Sequence, residues 1–468
     1  MDPAPTRGRR RLPPLLAQER RGPVPVSCTQ ERFWLIKRLR LARKPADELP
    51  MQVRLSGRLD VAALSWALGE ISARHESLRT RIRAISGIAH QVIDPVRQLS
   101  LPLADLCGLG EDRREAELRC RLQQIGAEPF DLREGPLLRV ALIRVAPDNH
   151  VLVLKVHHLV FDGWSLGVFL RELGVLYSGF SGGASRSVLP DPQLQYADYS
   201  IWQRQWLTGE LLQGQIHYWE RRLSGLAPLC LPADRPRPQT RSFATARVAI
   251  ELPKELIAGL QALGRRGGAT LYMVLLAAFQ WLLSRWSGKA DVAVGSLVAG
   301  RVHPKTEGLI GFFLNILVMR VDLSGTPQWE AVLRQVRDTV LEAFAHQDVP
   351  FERLVLALRR EWEAQQHHPL FQVMFVYQNF PHIAPAMPGM MTSVSVGERR
   401  LGRYDLMLEL WERPHGLSGH FEYSTELFEA GRIEELRARF AALLRSLVAR
   451  GGGAPALSCH QTDGRIAL

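Results

Sequence analysis

Apolar residues recur along this chain with two periods, and the periods change places often. Val53-Arg54-Leu55 alternates as a strand does, and residues 59–71 carry the spacing of an amphipathic helix. Residues 78–82 and Gln91-Val92-Ile93 return to an extended pattern. A charged helix is predicted at about 111–126. Two apolar runs, 137–145 and 151–156, flank Pro147-Asp148-Asn149 and predict a hairpin. The second run leads directly into His157-His158-Leu159-Val160-Phe161-Asp162-Gly163-Trp164-Ser165, after which Leu166, Phe169, Leu170, Leu173 and Tyr177 repeat at helical spacing. A polar cluster therefore lies at a strand-to-helix junction.

Residues 178–193, rich in Gly, Ser and Pro, predict an exposed loop, and an aromatic helix follows over about 196–222 with Trp202, Trp206 and Trp219. Pro228, Pro232, Pro236 and Pro238 bar a continuous helix through 223–242, which reads as a connection. The second half repeats the mixed alternation. Helices are predicted at 252–265, 270–285, 327–345 and about 431–449, with strands at 292–297, 314–321 and 370–377. The fold class is thus α/β, divided into a basic lead (1–26), an N-terminal lobe (27–222), the connection (223–242), a C-terminal lobe (243–450) and a linker or tail (451–468). No fixed-period repeat is visible, which excludes a solenoid.

With 468 residues, 46% hydrophobic and 23% charged, the chain has the composition of a large globular core, which excludes disorder and low-complexity classes. Its 59 basic and 47 acidic residues leave +12, a balance that raises nucleic acid as a partner. The excess is diffuse. Only six basic residues are Lys, so Arg dominates, as a GC-rich coding sequence explains, and no aromatic-studded basic motif follows. The run Arg9-Arg10-Arg11 precedes an apolar stretch broken by Pro13 and Pro14, so no export signal is formed. The apolar stretch 271–283 is too short to span a bilayer. A soluble protein without nucleic-acid or membrane partner is expected. Five scattered cysteines without CxxC spacing give neither a disulfide framework nor a zinc knuckle and fit a reducing cytoplasm.

Neighbouring histidines after a strand point to opposite faces, so at most one of His157 and His158 enters a given cavity. An imidazole with a pKa near ~6.5 suits proton transfer from an attacking amine or hydroxyl. Asp162 has three openings: to hold the imidazole, to pair with an arginine, or to cap the following helix. Gly163 permits close approach of a substrate to helix-start N–H groups. A histidine pair is by itself as readily structural. No third ligand stands at metal-site spacing, and no G-x-S-x-G elbow surrounds Ser165.

The whole string decides the matter: HHxxxDGWS resembles the active-site motif of the condensation domains of nonribosomal peptide synthetases. Ser27-Cys28-Thr29-Gln30-Glu31-Arg32-Phe33-Trp34 resembles the family's opening S-x-A-Q-x-R-x-W motif. Arg74-His75-Glu76-Ser77-Leu78-Arg79-Thr80 is similar to RHExLRT, Tyr196-Ala197-Asp198-Tyr199 with Trp202-Gln203 to YxDYxxWQ, and Ile310-Gly311-Phe312-Phe313-Leu314-Asn315 to IGFFxN. His346-Gln347-Asp348-Val349-Pro350-Phe351, the PLFQVMF segment from Pro369 and the YSTELF segment from Tyr423 follow in family order. Two departures stand out. Cys28 replaces a commoner apolar residue in what is expected to be a packed strand, and the approach to Pro369 carries His367-His368, which reads as an exposed turn. Trp164 and His157 separate the chain from the related epimerases and heterocyclisation domains.

The resemblance implies two lobes, each like chloramphenicol acetyltransferase, in a V shape with a central tunnel entered by two phosphopantetheine arms. It implies that His158 is catalytic, that Gly163 lies beside the reacting centre and that His157 is structural. Asp162 turns to an arginine, assigned to Arg301, while Trp164, Ser165, Asn315 and Ser424 lie near the tunnel or substrate. The implied reaction joins a carrier-bound acyl or aminoacyl thioester donor to an aminoacyl acceptor through an amide. The thioester is already activated, so the protein must align the amine and manage its proton, either by taking it or by hydrogen bonding. No bound cofactor and no metal are called for; the substrates ride on the phosphopantetheine arms of donor and acceptor carrier proteins. Met1 stands 26 residues ahead of the first motif, so the donor carrier is expected in trans, with the basic lead from Arg7 to Arg11 as a docking element. A bacterial, cytoplasmic monomer is expected. Two other readings fit: a free-standing acyltransferase acting on a soluble amine or alcohol, and a non-catalytic recruitment platform.

Overall fold

The computed structural model describes residues 12–20, 22–31, 34, 48–238, 242–325, 328–358, 370–379, 384–396, 402, 404–451, 461–462 and 465–466. Arg7 to Arg11, Arg32 and Phe33 of the first motif, His367-His368 with Pro369, and most of the tail after residue 451 lie outside the described residues.

In chain order the first half holds β1 (Glu48–Gly57), α1 (Val61–Arg74), β2 (Thr80–Ile85), β3 (Ile88–Ile93), β4 (Leu103–Asp105) and α2 (Glu111–Ala127). The hairpin β5 (Leu138–Ala146) and β6 (Asn149–His157) precedes α3 (Gly163–Ser181), α4 (Tyr196–Trp206) and α5 (Gly209–Leu223). The second half holds β7 (Thr245–Pro253), α6 (Lys254–Arg266), α7 (Leu271–Ser287), β8 (Asp291–Val298), β9 (Asn315–Asp322), α8 (Trp329–Ala345) and α9 (Phe351–Ala357). It closes with β10 (Val373–Gln378), β11 (Met390–Val396), β12 (Leu406–Arg413), β13 (Gly416–Ser424) and α10 (Ala430–Ala449).

The chain divides into two compact units. The first comprises Met1–Thr208, Ala299–Leu314 and Pro381–Glu398; the second comprises Gly209–Val298, Asn315–Phe380 and Arg399–Leu468. Both units are therefore discontinuous, unlike the contiguous lobes expected from the proline-rich connection. The break also falls earlier, because the helix expected over 196–222 is two helices. Leu207 caps α4 through Gln203, and Gly209 takes a φ of +53°, a left-handed conformation that glycine adopts freely. The loop expected from residue 178 begins only after Ser181, and Leu78 lies in a 3-10 turn, Glu76–Arg79, rather than in a strand.

Unit 1 is built on a five-stranded sheet in the order β11-β1-β6-β5-β4. The hairpin β5–β6 is antiparallel, with Ala146 opposite Asn149, and β11 adds an edge by pairing Met390 with Gly57. Strand β6 is buried on both faces. Leu152, Leu154 and Val156 join a core with Leu64, Leu68, Phe169 and Leu173 of α1 and α3, while Val151 and Val153 pack with Leu118 of α2. Its apolar run, broken only by the buried Lys155 whose Nζ donates to the Gly126 carbonyl, is the signature of a strand covered from two sides. Unit 2 is built on a six-stranded sheet in the order β9-β8-β10-β12-β13-β7. Helix α7 is buried along nearly all its faces, with Thr270 accepting the Met273 N–H at its start and left-handed Gly288 closing its end. Among the described residues no single helix is long and apolar enough to cross a membrane.

Candidate active site

Strand β6 ends at His157, and the chain turns at once into a 3-10 turn, His158–Val160, before Asp162 caps α3. The two histidines are therefore separated by the turn as well as by strand parity. His157 is buried; its Nδ1 accepts the Leu159 N–H at 3.1 Å, and its ring meets the edge of Phe130. His158 is half-buried. Its Nδ1 lies 3.1 Å from the Phe161 carbonyl oxygen, which only accepts, so the proton sits on Nδ1 and the neutral ring carries its lone pair on Nε2. The ring packs near Phe312, with centroids 6.0 Å apart.

Asp162 is fully buried, and its two oxygens receive four donors. Oδ1 accepts the Ser165 N–H and hydroxyl, each at 2.7 Å, and the Arg301 guanidinium at 3.1 Å, while Oδ2 accepts the Phe313 N–H at 3.1 Å. Of the three openings its sequence position left, the carboxylate takes two at once: it caps α3 and pairs with Arg301. Arg301 is itself buried, donates to the carbonyls of Thr306 and Leu309, and lies 4.1 Å over the Phe313 ring. Gly300 precedes it at φ +64°, where a Cβ would stand 1.9 Å from the Phe313 oxygen, so only glycine lets the two segments meet.

Ser165 is held by hydrogen bonds within unit 1. Its hydroxyl lies 2.7 Å from Asp162 and 2.9 Å from the Gly311 carbonyl, and it accepts from the Gly311 N–H and Arg301. It is fully buried and its hydrogen-bonding capacity is spent inside the fold. Trp164, half-buried, donates from Nε1 to the Glu307 carbonyl at 2.8 Å, and Gly163 is the first residue of α3. In unit 2, Asn315 begins β9. Its amide nitrogen donates to the Gln347 and Val349 carbonyls and its oxygen accepts the Phe351 N–H, so it ties down the 347–351 loop. Ser424 is buried at the end of β13, where its carbonyl accepts the Leu427 and Phe428 N–H groups.

The remaining motifs of unit 1 converge behind the histidines. In RHE, Arg74 and His75 both donate to Glu172 of α3, at 3.2 and 2.9 Å, and Glu76 pairs with Arg20, which also reaches Asp198 at 2.9 Å. Burial raises the Glu172 pKa, but hydrogen bonds and charge from His75 and Arg74 outweigh it and hold the carboxyl below its usual value. The opening motif begins a helical turn, with the Glu31 N–H on the Ser27 carbonyl, so Cys28 is buried in that turn and not in the strand expected of it. Sequence reasoning assigned no role to Gln30, whose Nε2 donates to the Leu159 carbonyl at 2.8 Å. Tyr196 likewise received none; its hydroxyl lies 2.6 Å from the Phe312 carbonyl and 2.8 Å from Ser27 Oγ. Their place in the opening and YxDY motifs was the available signal. Among the described residues no group of three His, Cys, Asp or Glu side chains is arranged to hold a metal ion.

Comparison with known proteins identifies the family. The family profile "Condensation domain" matches residues 20–453. The chain is 44% identical over 437 residues to one polypeptide of the linear gramicidin synthase of Brevibacillus parabrevis, an alignment covering 93% of this chain and 8% of that protein. It therefore spans a small part of the length of such relatives. The crystal structure of the X-domain from teicoplanin biosynthesis is 30% identical, with a TM-score of 0.83 over 94% of this chain and 98% of that one. A complex of the X-domain with OxyB gives 0.80 at 31% identity, over 94% and 97% of the two chains. The chain belongs to the condensation-domain family, the acyltransferase units that form amide bonds in nonribosomal peptide biosynthesis, and has their mixed α/β, chloramphenicol-acetyltransferase-like fold.

Proposed function

We propose that this chain condenses an acyl or aminoacyl thioester, held on the phosphopantetheine arm of one carrier protein, with the amine of an aminoacyl group held on another. The observation that carries the reading is His158: a half-buried imidazole whose Nδ1 proton is committed to the Phe161 carbonyl and whose lone pair is thereby fixed on Nε2. The acceptor amine attacks the thioester carbonyl, forming the C–N bond. Nε2 takes the proton that nitrogen must lose, the C–S bond breaks, and the proton ends on the departing pantetheine thiol. Two tethered arms supply alignment, and positioned proton transfer contributes about 10²–10⁴-fold. Gly163 adds no side chain at the start of α3, which suits close approach of the thioester.

Asp162, Arg301 and His157 act as structure in this scheme, since their bonds run to the protein itself. The test is to incubate the protein with loaded donor and acceptor carriers and read the condensed product by intact-protein mass spectrometry. His158→Ala should lose at least about a hundredfold in rate with its melting temperature unchanged. Activity within a few-fold of the parent would overturn the assignment.

One observation favours a second reading. The X-domain, similar over nearly the whole chain, has been solved in complex with OxyB, so this fold also serves to hold a partner protein. A recruitment platform would give no condensed product with any carrier pair.

A further inference from the structure

We propose that Gln30 is a positioning residue for His158, acting through the Leu159 peptide. The inference rests on the reading of His158 as the proton acceptor. Leu159 is clasped at both ends: its N–H by His157 Nδ1 at 3.1 Å and its carbonyl by Gln30 Nε2 at 2.8 Å. His158 lies between His157 and that clasped residue, and its own Nδ1 bond closes the same turn on Phe161. The 3-10 turn His158–Val160 is three residues long, with little internal hydrogen bonding of its own, so its shape is set by the groups that hold it.

Gln30 is fixed for this task. It is fully buried, its Oε1 accepts the Ser27 N–H at 3.0 Å, and its own N–H donates to Ser27 Oγ at 3.1 Å. Ser27 Oγ is in turn 2.8 Å from the hydroxyl of Tyr196, which also reaches the carbonyl of Phe312, the residue whose ring lies near that of His158. The amide of Gln30 thus has a defined orientation: its oxygen faces a donor and its nitrogen faces the Leu159 carbonyl. Without that donor, the Leu159 carbonyl is left buried and unpaired, and rotating the Leu159–Val160 peptide to relieve this shifts the turn that His158 begins.

Two substitutions test the idea. Gln30→Met keeps the volume and removes the donor. It should lower kcat about ten- to hundredfold with the KM for both carriers within twofold, and the ¹⁵N shifts of the His158 ring should move from a single Nδ1–H tautomer toward a mixture. In Gln30→Glu the introduced carboxyl can donate to Leu159 only when protonated, so its kcat relative to the parent should rise as pH falls. A flat ratio across pH, or a Gln30→Met variant with parental kcat and parental His158 shifts, would overturn the proposal. If the parent protein itself makes no condensed product, the reading of the function fails, and the ring shifts alone still decide whether Gln30 sets the tautomer.

Discussion

At the scale of single residues, two adjacent histidines have unequal surroundings. His157 ends a strand covered on both faces and accepts a backbone N–H; His158 starts a turn and gives its Nδ1 proton to a backbone carbonyl. Asp162 and Arg301 are the counterpart on the structural side. A buried carboxylate with four donors is satisfied only while all remain, and removing one partner of a buried pair typically costs ~3–5 kcal/mol because the other charge is stranded. Asp162→Ala and Arg301→Ala should each lower stability by roughly that amount, measured by urea unfolding, and the double variant should cost less than the sum. If either single variant is fully stable yet inactive, the structural role fails for that residue. The string HHLVFDGWS made both histidines and Asp162 legible in the sequence. Ser165 was not: a serine after a catalytic-looking motif gives no sign that its hydroxyl will be spent on Asp162 and Gly311.

Elements are held at the site by close backbone approaches that the motif glycines permit. The segment carrying Gly311 returns to unit 1 and lies against α4, where a Cβ on Gly311 would stand 2.0 Å from the Tyr196 ring. Tyr196 is buried, and its hydroxyl joins Ser27 to the Phe312 carbonyl. Gly311→Ala must therefore displace either the ring or the segment, and overpacking of this kind costs about 1–3 kcal/mol. A lower urea midpoint is expected, together with a weaker condensation rate because Phe312 flanks His158. An unchanged midpoint would show that the contact relaxes freely. Periodicity found α2, α3, α7, α8 and the β5–β6 hairpin, whose signals are local. It missed β4, β7, β11, β12, β13 and the exchange of segments between units, because which strand pairs with which is decided by tertiary packing, and β11 (MMTSVSV) shows little alternation before its partner β1 is known.

For the whole molecule, acid acts on groups whose pKa folding has shifted, and the pH window of each follows from the direction of its shift. In unit 2, His420 of β13 is buried beside Trp411, with Arg247 nearby, and its Nε2 is 3.7 Å from Glu409. Burial, followed by the charge of Arg247, pushes its pKa down from 6.5 to about 4. The folded form therefore keeps a neutral ring where the unfolded chain takes up a proton. Stability is unaffected above pH 6.5 and falls as pH drops from 6.5 toward 4, by up to ~3 kcal/mol. In unit 1, Glu172 lies below its usual 4.5 despite burial, because His75 and Arg74 hold its charged form. Its contribution is present above pH 4.5 and is lost as pH falls through the lower folded value. His150 of β6, in unit 1, is likewise held below 6.5 by burial and the charge of Arg144, so both units lose histidine-linked stability as pH falls below 6.5. His420→Gln should flatten the pH dependence of stability between 6.5 and 4, while Glu172→Gln, lower in stability at neutral pH, should flatten it only below 4.5. Urea midpoints taken at half-unit steps from pH 7.5 to 3.5 decide this, and equal slopes for the parent and His420→Gln between 6.5 and 4 would remove His420 as the origin of the early loss.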